Sequence, residues 1–340
     1  MKIFLRSIVF ILLVCLPLSC SAEKEVVFTG RTMGTTYHIK AVTGYFKRAS
    51  GLKDKIDARL EAINQSMSTF IDDSEISRFN RWPDIGTPFQ VGHDFFQVFK
   101  KAQQLHALTG GAWDGTVKPL VDLWGFGKPE HQDEPPDAGI IEHLLKKTGF
   151  DQIRIPDEGY VQKTHADLTL DFASIAKGYA VDQVSLLLKS EGITDFIVEI
   201  GGEVFAAGIR QDGLKWRVGV NMPDKNASFY DLYSVVQLSN LAMATSGDYR
   251  NFIERDGVMY SHIIDPRTGY PVQNNVASVT IIAPDCTMAD GLATAIVVMG
   301  VEKGKSLLEK LPGVEGLIIV RDLDGKLSDF PSSGFKTFSE

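Results

Sequence analysis

The order of the apolar patterns along the chain constrains its fold more than any single motif. In the first half, apolar residues recur every three or four positions, a spacing that is typical of amphipathic helices. After residue 195, short apolar or alternating runs follow one another between turn residues, which predicts consecutive strands. The predicted helices are 52–67, 95–105, 140–147 and one from Met288 onward, and the predicted strands are 36–42, 196–209, 215–222, 233–240 and 276–284. Early helices followed by consecutive strands favour an α+β fold over a repeated βαβ unit.

Composition and charge limit the class of protein. The chain has 340 residues, of which 44% are hydrophobic and 23% charged, and it contains no low-complexity linker, so one compact domain is expected. Its formal net charge of −8 argues against nucleic-acid binding, which needs a basic surface. The motifs GxSxG, HExxH, CxxC and GxGxxG are absent. The stretch GVEKGKS at 300–306 is one residue short of a phosphate-binding loop and is interpreted as a helix break.

The N-terminus is built like an export signal. Residues 1–19 place Lys2 and Arg6 before a short apolar run, and Cys20 follows directly, as at a bacterial lipoprotein cleavage site. Simple secretion with an incidental cysteine is the alternative. Cleavage would remove two positive charges, so the formal charge would go from −8 to −10. We therefore predict a signal peptide at 1–19, a tether at 20–29 and a folded domain at 30–340.

The stretch DFASIAKGYAVD at 171–182 joins an apolar run that looks like a strand, LTL, to a predicted helix. A helix start offers free backbone N–H groups to an anion, and small residues let a ligand approach. The junction carries Asp171 at its start, small residues that include Ser174, and Lys177 one turn into the helix.

Three further clusters contain candidate site residues. In GGAWDGTVKPLVDLWGFG, tryptophans beside glycines suit a flat heteroaromatic ligand, or a packed loop with buried rings. His262 is predicted to lie in a strand and is either catalytic or simply buried. Asp290 and Thr294 are four residues apart on one helical face, which suits a hard cation such as Mg²⁺. On spacing alone, Thr287 and Asp290 are better explained as a helix cap.

Taken in order, the motifs carry a resemblance. TGRTMGTTYHI, MSTFIDDSEISRFN, GGAWDGTVKPLVDLWGFG, DFASIAKGYAVD, EIGGEV, ATSGDYRNF, SHIIDPRTGYPV and TMADGLATA resemble the ApbE family of FAD:protein FMN transferases. The resemblance extends from about residue 30 to residue 338. It implies an α+β fold related to the tunnelling fold (T-fold), with FAD bound in a cleft.

The resemblance also implies a role for each matching residue. The positions that would contact FAD are Met33, Phe70, Ala112, Trp113, Asp114, Asp171, Lys177 and Ile264. Those that would hold Mg²⁺ are Ser174, Asp290 and Thr294, and His262 would act as the base. Cys20 would carry the lipid.

The implied reaction is Mg²⁺-dependent transfer of FMN from FAD to a Thr or Ser hydroxyl of a partner protein, with release of AMP. Acceptors of such enzymes carry a motif resembling Asp-Gly-x-Ser/Thr-Gly-Ala-Ser/Thr, on electron-transport subunits of the membrane. A lipoprotein on the periplasmic side of the membrane is the implied location. Two alternatives remain: hydrolysis of FAD to FMN and AMP, and a non-enzymatic lipoprotein that binds FAD.

Overall fold

The structure is a computed structural model that describes residues 24–44, 51–126, 134–224, 227–228, 230–247, 252–255 and 258–339. The predicted signal peptide and the predicted lipidation site, Cys20, lie outside the described residues. Among the helices that are described, none has the length and apolarity needed to cross a membrane.

The longer helices lie where the apolar periodicity predicts them, and two short helices, Glu75–Asn80 and Lys118–Leu123, were not predicted. The described residues form α1 (Leu52–Met67), α2 (Glu75–Asn80), α3 (His93–Thr109), α4 (Lys118–Leu123), α5 (Ala138–Leu145), α6 (Ala173–Ser190) and α7 (Cys286–Leu308). Helix α3 ends at Gly110, which adopts the left-handed conformation (φ 58°) that stops a helix. Gly300 interrupts α7 with a non-helical backbone, which confirms the helix break predicted from GVEKGKS.

The strands form one large antiparallel sheet and smaller sheets. They are β1 (Lys24–Thr32), β2 (Thr35–Thr43), β3 (Phe89–Gln90), β4 (Ile153–Arg154), β5 (Tyr160–Lys163), β6 (Asp195–Ile200), β7 (Glu203–Ala207), β8 (Trp216–Asn221), β9 (Leu232–Leu238), β10 (Leu241–Gly247), β11 (Phe252–Arg255), β12 (Val258–Ser261), β13 (Val276–Ala283), β14 (Glu315–Arg321) and β15 (Leu327–Pro331). The large sheet has eight strands in the order β1-β2-β6-β7-β10-β13-β14-β15. Every pair of adjacent strands in this sheet is antiparallel, which confirms the predicted α+β class.

The folded region begins earlier than predicted. Residues 24–29, assigned to a tether, belong to β1, which pairs with β2 along its whole length from Lys24 opposite Thr43 to Thr32 opposite Thr35. The prediction was wrong here because the stability of an edge strand comes from pairing with its neighbour, which the local sequence does not reveal.

The large sheet is covered on both faces, and each face has its own apolar core. Neighbouring residues of β13 show this, since Ile281 packs into the core beneath α1, α3, α6 and α7, whereas Ile282 packs beside the β8–β9 hairpin. Alternate residues of a strand point to opposite faces, so every residue of β13 is buried. The helical face contains the candidate site.

Candidate functional site

The segment that leads into α6 is extended but is not a strand. Leu168 and Leu170 are buried, yet no strand is formed at 168–170, which corrects the predicted strand. Asn80 replaces the missing neighbour, because its side chain accepts from the Leu170 N–H at 2.7 Å and donates to the Leu170 carbonyl at 2.8 Å. Lys163, which is 2% exposed, donates to the carbonyls of Asn80, Ala166 and Leu168. Polar side chains therefore fix the backbone immediately before Asp171.

Asp171 lies at the start of α6. Its N–H donates to the Gly115 carbonyl at 2.7 Å, and its Oδ1 accepts from the Ala173 N–H at 2.8 Å. Burial raises the pKa of Asp171, and the positive charge of Lys118 opposes that shift. The N-cap residue, Phe172, provides no side-chain hydrogen bond to the helix. The structure thus places Asp171 where a helix N-terminus can meet an anionic ligand.

Trp113 and Ser174 are brought together, but the Trp113 ring lies in the core. Its Nε1 donates to Ser174 Oγ at 3.0 Å, and its ring meets that of Phe150 edge-on, with centroids 5.9 Å apart. Only 2% of Trp113 is exposed. The structure therefore supports a packed loop with a buried ring here, and the predicted stacking face for a flavin is not offered to solvent.

The two neighbours of Trp113 are also internal. Ala112 is 1% exposed. The Asp114 carboxylate accepts hydrogen bonds from the N–H and hydroxyl of Thr116 and from the N–H of Phe150, at 2.6–2.9 Å. These contacts hold the loop that carries Gly115, and so support Asp171 indirectly.

Helices α6 and α7 meet at a polar cluster of one half-buried lysine and two buried carboxylates, which we call the Lys177 cluster: Lys177, Glu203 and Asp290. Lys177 Nζ lies 2.6 Å from Glu203 Oε1 and 3.9 Å from Asp290 Oδ2. The same Asp290 oxygen accepts from the Gly178 N–H at 3.1 Å. A side chain on Gly178 would collide with the Cys286 carbonyl, so this glycine allows the two helices to approach closely.

The Lys177 cluster has two carboxylates for one ammonium group. Burial and the charge of Asp290 raise the pKa of Glu203 to about 8. Burial likewise raises the pKa of Asp290, although Lys177 opposes the shift. Burial alone would lower the pKa of Lys177, but the two carboxylates raise it above its ordinary value. Besides Lys177, the cluster therefore holds either a proton or a further cation.

Asp290 is not a helix cap. Helix α7 is capped by Asp285, whose Oδ1 accepts from the Met288 N–H at 2.9 Å. The Thr287 hydroxyl donates instead to Asp182 of α6 at 2.6 Å. The capping interpretation of the Thr287 and Asp290 spacing is therefore wrong, and Asp290 is directed toward α6.

Asp182 ties the start of α7 to α6. Its carboxylate also accepts from the N–H groups of Cys286 and Thr287, at 2.8 and 2.9 Å. Burial raises the pKa of Asp182 to about 6. The contact sets the position of α7, and hence of Asp290, relative to α6.

Thr294 lies one helical turn beyond Asp290 and is half-buried. Its Oγ1 is 3.0 Å from Ser246 Oγ on β10. Within the described ranges, no group of three or more His, Cys, Asp or Glu side chains is placed to hold a metal ion. A cation at this place would therefore rely on Asp290 together with hydroxyl or carbonyl oxygens.

His262 follows β12 and does not lie within it, which corrects the prediction of a strand histidine. It is half-buried, with its ring edge-on to Phe126 at 6.4 Å between centroids. Ile264 is 4% exposed and packs in a small cluster with Leu120, Trp124 and Ile141. The Trp124 Nε1 donates to the carbonyl of Gly269 at 2.9 Å and so holds this loop to α4.

Met33 and Phe70, the remaining two residues predicted to contact FAD, differ in how far they are exposed to solvent. Met33 has a positive φ of 48° in the turn between β1 and β2, and it packs partly against the main core. This turn lies beside the Lys177 cluster, since the Thr36 carbonyl accepts from the Gly201 N–H at 3.1 Å. Phe70 is 92% exposed in the loop after α1. An exposed aromatic ring is available to a ligand in a way that Trp113 is not.

Two surface cavities lie elsewhere. One of about 660 Å³ is lined by residues including Lys40, Arg210 and Trp216, and one of about 450 Å³ lies between β1 and α1. None of the predicted site residues lines either cavity.

Sequence reasoning missed three residues that organise the site: Asn80, Asp182 and Glu203. All three lie inside the motifs that carry the resemblance, but their local context gives no chemical signal. An ion pair such as Lys177 with Glu203 joins residues from different elements, so only the tertiary structure reveals it.

Known proteins resemble this chain over most of its length. A model of the ApbE family matches residues 33–318. The FAD:protein FMN transferase of Vibrio cholerae serotype O1 is 41% identical over 316 residues, covering 93% of each chain. The solved flavin transferase ApbE from Vibrio cholerae superposes with a TM-score of 0.84 at 41% identity, covering 93% of this chain and 99% of that one. The apo flavinyl transferase ApbE from Pseudomonas stutzeri gives 0.83 at 37%, covering 93% and 97%. The chain therefore belongs to the ApbE family.

Proposed function

We propose that this protein transfers FMN from FAD to a Thr or Ser hydroxyl of a partner protein, forming a phosphoester bond and releasing AMP. Relatives that match nearly the whole chain are named for this reaction. The observation that carries the proposal is the Lys177 cluster. It places an ammonium group and a buried carboxylate, Asp290, beside the glycine-rich turn at 201–202 and close to the N-terminal half of α6.

The start of α6 binds the pyrophosphate of FAD. Its N-terminal backbone carries a partial positive charge, and Lys177 adds a full charge one turn later. Asp171, whose carboxylate bonds the Ala173 N–H, fixes the backbone at that end. The exposed ring of Phe70 and the partly buried Met33 contact the rings of FAD.

Mg²⁺ fits the donors at the α6–α7 contact. Asp290 and Thr294 offer hard oxygen atoms, which this cation prefers. Ser174 would contribute an oxygen, either its hydroxyl, which accepts one hydrogen bond from Trp113, or its carbonyl. The N–H that regularly bonds this carbonyl in a helix is that of Gly178, which also donates to Asp290 at 3.1 Å. When bound, the cation supplies charge neutralisation at the pyrophosphate.

His262 takes the proton of the incoming hydroxyl. A histidine ordinarily titrates near neutral pH and suits this role. The loop that carries it is held to α4 through Trp124, so the imidazole is positioned and half-buried without being part of the main core.

The protein acts on the extracytoplasmic side of the membrane, anchored by lipid on Cys20. The signal-like residues 1–19 and the cysteine after them support this location. Intact-mass measurement of the membrane fraction tests it. An unmodified Cys20, or membrane association that survives Cys20→Ala, contradicts the anchor.

The reaction is tested with purified protein, FAD and Mg²⁺, with and without an acceptor that carries the Asp-Gly-x-Ser/Thr-Gly-Ala-Ser/Thr motif. AMP and covalently bound flavin are followed together. Transfer predicts that both appear in step and only with acceptor. Equal AMP release without acceptor, with no flavin attached, indicates an FAD pyrophosphatase. FAD binding with no AMP at all indicates a non-enzymatic carrier.

A further inference from the structure

Glu203 is the least satisfied polar side chain at the site. It is the first residue of β7 and is 4% exposed. Its Oε1 is bonded to Lys177, but its Oε2 is buried and has no hydrogen-bond partner among the described residues. A buried carboxylate oxygen without a partner destabilises the folded protein, so such an atom calls for an explanation.

The turn before Glu203 is shaped to approach Lys177. Gly201 has a φ of 63°, and a Cβ at that position would lie 2.8 Å from Thr35 Cγ2 and 3.2 Å from Lys177 Cδ. Only glycine fits this backbone conformation and this space. The backbone conformation of this turn therefore places Glu203 next to Lys177, and the ion pair is not an incidental surface contact.

The Lys177 cluster contains two carboxylates and one ammonium group, so Lys177 alone does not balance its charge. Lys177 neutralises one of the two carboxylates that it approaches, so the other carboxylate must be balanced by a proton or by a further cation. Lys177 Nζ lies 2.6 Å from Glu203 Oε1 and 3.9 Å from Asp290 Oδ2. The distance between these two carboxylate oxygens is therefore at most the sum of those two distances. A hydrated divalent cation at Asp290 would span such a gap, since Mg²⁺ keeps several waters and places them about 2.1 Å away.

We propose that Glu203 is a further acidic residue of the divalent-cation site, with two separate roles. Its Oε1 positions Lys177, and its Oε2 accepts a hydrogen bond from the hydration shell of the cation bound at Asp290. The inference rests on the cation site of the proposed function. Outer carboxylates of this kind orient the metal's own ligands and increase its affinity.

The competing explanation is that Glu203 acts only by holding Lys177. In that case its loss frees Lys177 to pair with Asp290, which also weakens cation binding, and this effect disappears when Lys177 is replaced by methionine. Mn²⁺ affinity of the protein free of FAD, compared for Glu203→Gln with and without Lys177→Met, therefore separates the two.

Mn²⁺ serves as the probe, because the loss of its free EPR signal reports binding without any turnover. We expect Glu203→Gln to weaken Mn²⁺ binding by about 10–100-fold. Glu203→Asp keeps the charge and should lose less than about 5-fold on the same scale. Glu199→Gln is the matched control, since Glu199 lies in the same hairpin but pairs with His38 and the Gly202 N–H, and it should leave Mn²⁺ affinity unchanged.

The outcomes distinguish the two levels of the proposal. If the wild-type protein does not bind Mn²⁺, or if Asp290→Asn does not weaken binding, the cation site itself is wrong. If Asp290→Asn weakens binding while Glu203→Gln matches the wild type, or weakens binding only while Lys177 is present, the role of Glu203 is overturned and the cation site stands. Circular-dichroism melting without metal identifies an unfolded variant, and Glu203→Asp then decides the question.

Discussion

The α6–α7 contact and the loop that carries His262 both contribute to the site, yet they are built differently. The α6–α7 contact lies inside the main core and is fixed by buried charges, by the close approach at Gly178 and by the bonds from Asp182. The loop around His262 packs Ile264 into a small separate cluster with α4 and α5, while the neighbouring Ile263 packs in the main core. Asp290 thus lies within the main core, whereas the proposed base is a half-buried residue at its border with the small cluster.

This difference predicts different costs of substitution. At the α6–α7 contact, function and folding stability use the same atoms, so a change there affects both. At His262, the side chain is half-buried and its loop is held by other residues, so chemistry can be lost while the fold remains. The experiments below test that separation, from the largest expected effect to the smallest.

Asp290→Asn should have the largest effect. The amide keeps the shape but loses the charge that binds a cation, so we expect FMN transfer to fall by at least about 10³-fold, with metal affinity reduced in parallel. FAD affinity measured without Mg²⁺ should change little. Transfer at the wild-type rate would remove Asp290 from the site, and loss of the folded state would show that its bond to Gly178 is mainly structural.

His262→Asn should lower FMN transfer by roughly 10²–10⁴-fold, the usual range for a positioned general base. Affinity for FAD and for Mn²⁺ and the melting temperature should match the wild type. His38→Asn on the exposed part of β2 is the control and should transfer FMN normally. A less stable variant with normal specific activity would mean that His262 only fills space.

Asp182→Asn tests how firmly α7 is tied to α6. Burial raises the Asp182 pKa from 3.8 to about 6, so the folded protein binds this proton more tightly than the unfolded chain. That contribution to stability is complete below pH 3.8 and is lost as pH rises through about 6. The stability advantage of wild type over the variant should therefore shrink between pH 4 and 7, by up to about 3 kcal/mol. An advantage that grows with pH in urea unfolding would mean that the three hydrogen bonds outweigh burial.

Trp113→Phe tests the buried ring. Loss of the bond to Ser174 and of part of the indole should lower the free energy of unfolding by about 1–3 kcal/mol. FAD affinity, measured by flavin fluorescence, should stay within about 3-fold, since the ring is 2% exposed. A drop in affinity of tenfold or more without a loss of stability would restore the stacking role.

Phe70→Ala should have the smallest effect. The ring is 92% exposed, so stability should change by less than about 0.5 kcal/mol. FAD affinity should fall by about 2–10-fold, which corresponds to the usual free energy of an aromatic contact. Leu323→Ala, an equally exposed apolar residue on a distant turn, is the matched control and should leave affinity unchanged.

Local pattern predicted most elements of the fold. The helices α1 and α3, the glycine stop at Gly110 and the break at Gly300 follow from side-chain period and backbone preference, which act within a few residues. The two errors in strand assignment, at 168–170 and at His262, and the late start assigned to β1 share one cause. A strand is defined by its partner, and the partner is distant in sequence.

The sequence by itself determined the order of the elements, the α+β class and the residues that form the family motifs. The tertiary structure alone decided which of those residues face one another. It placed Trp113 in the core, turned Asp290 from a supposed cap toward α6, and joined Lys177 to Glu203 across a glycine turn. The physical reason is that periodicity and caps depend on neighbours along the chain, whereas burial and ion pairing depend on neighbours in space, which are set only when the helices pack on the sheet.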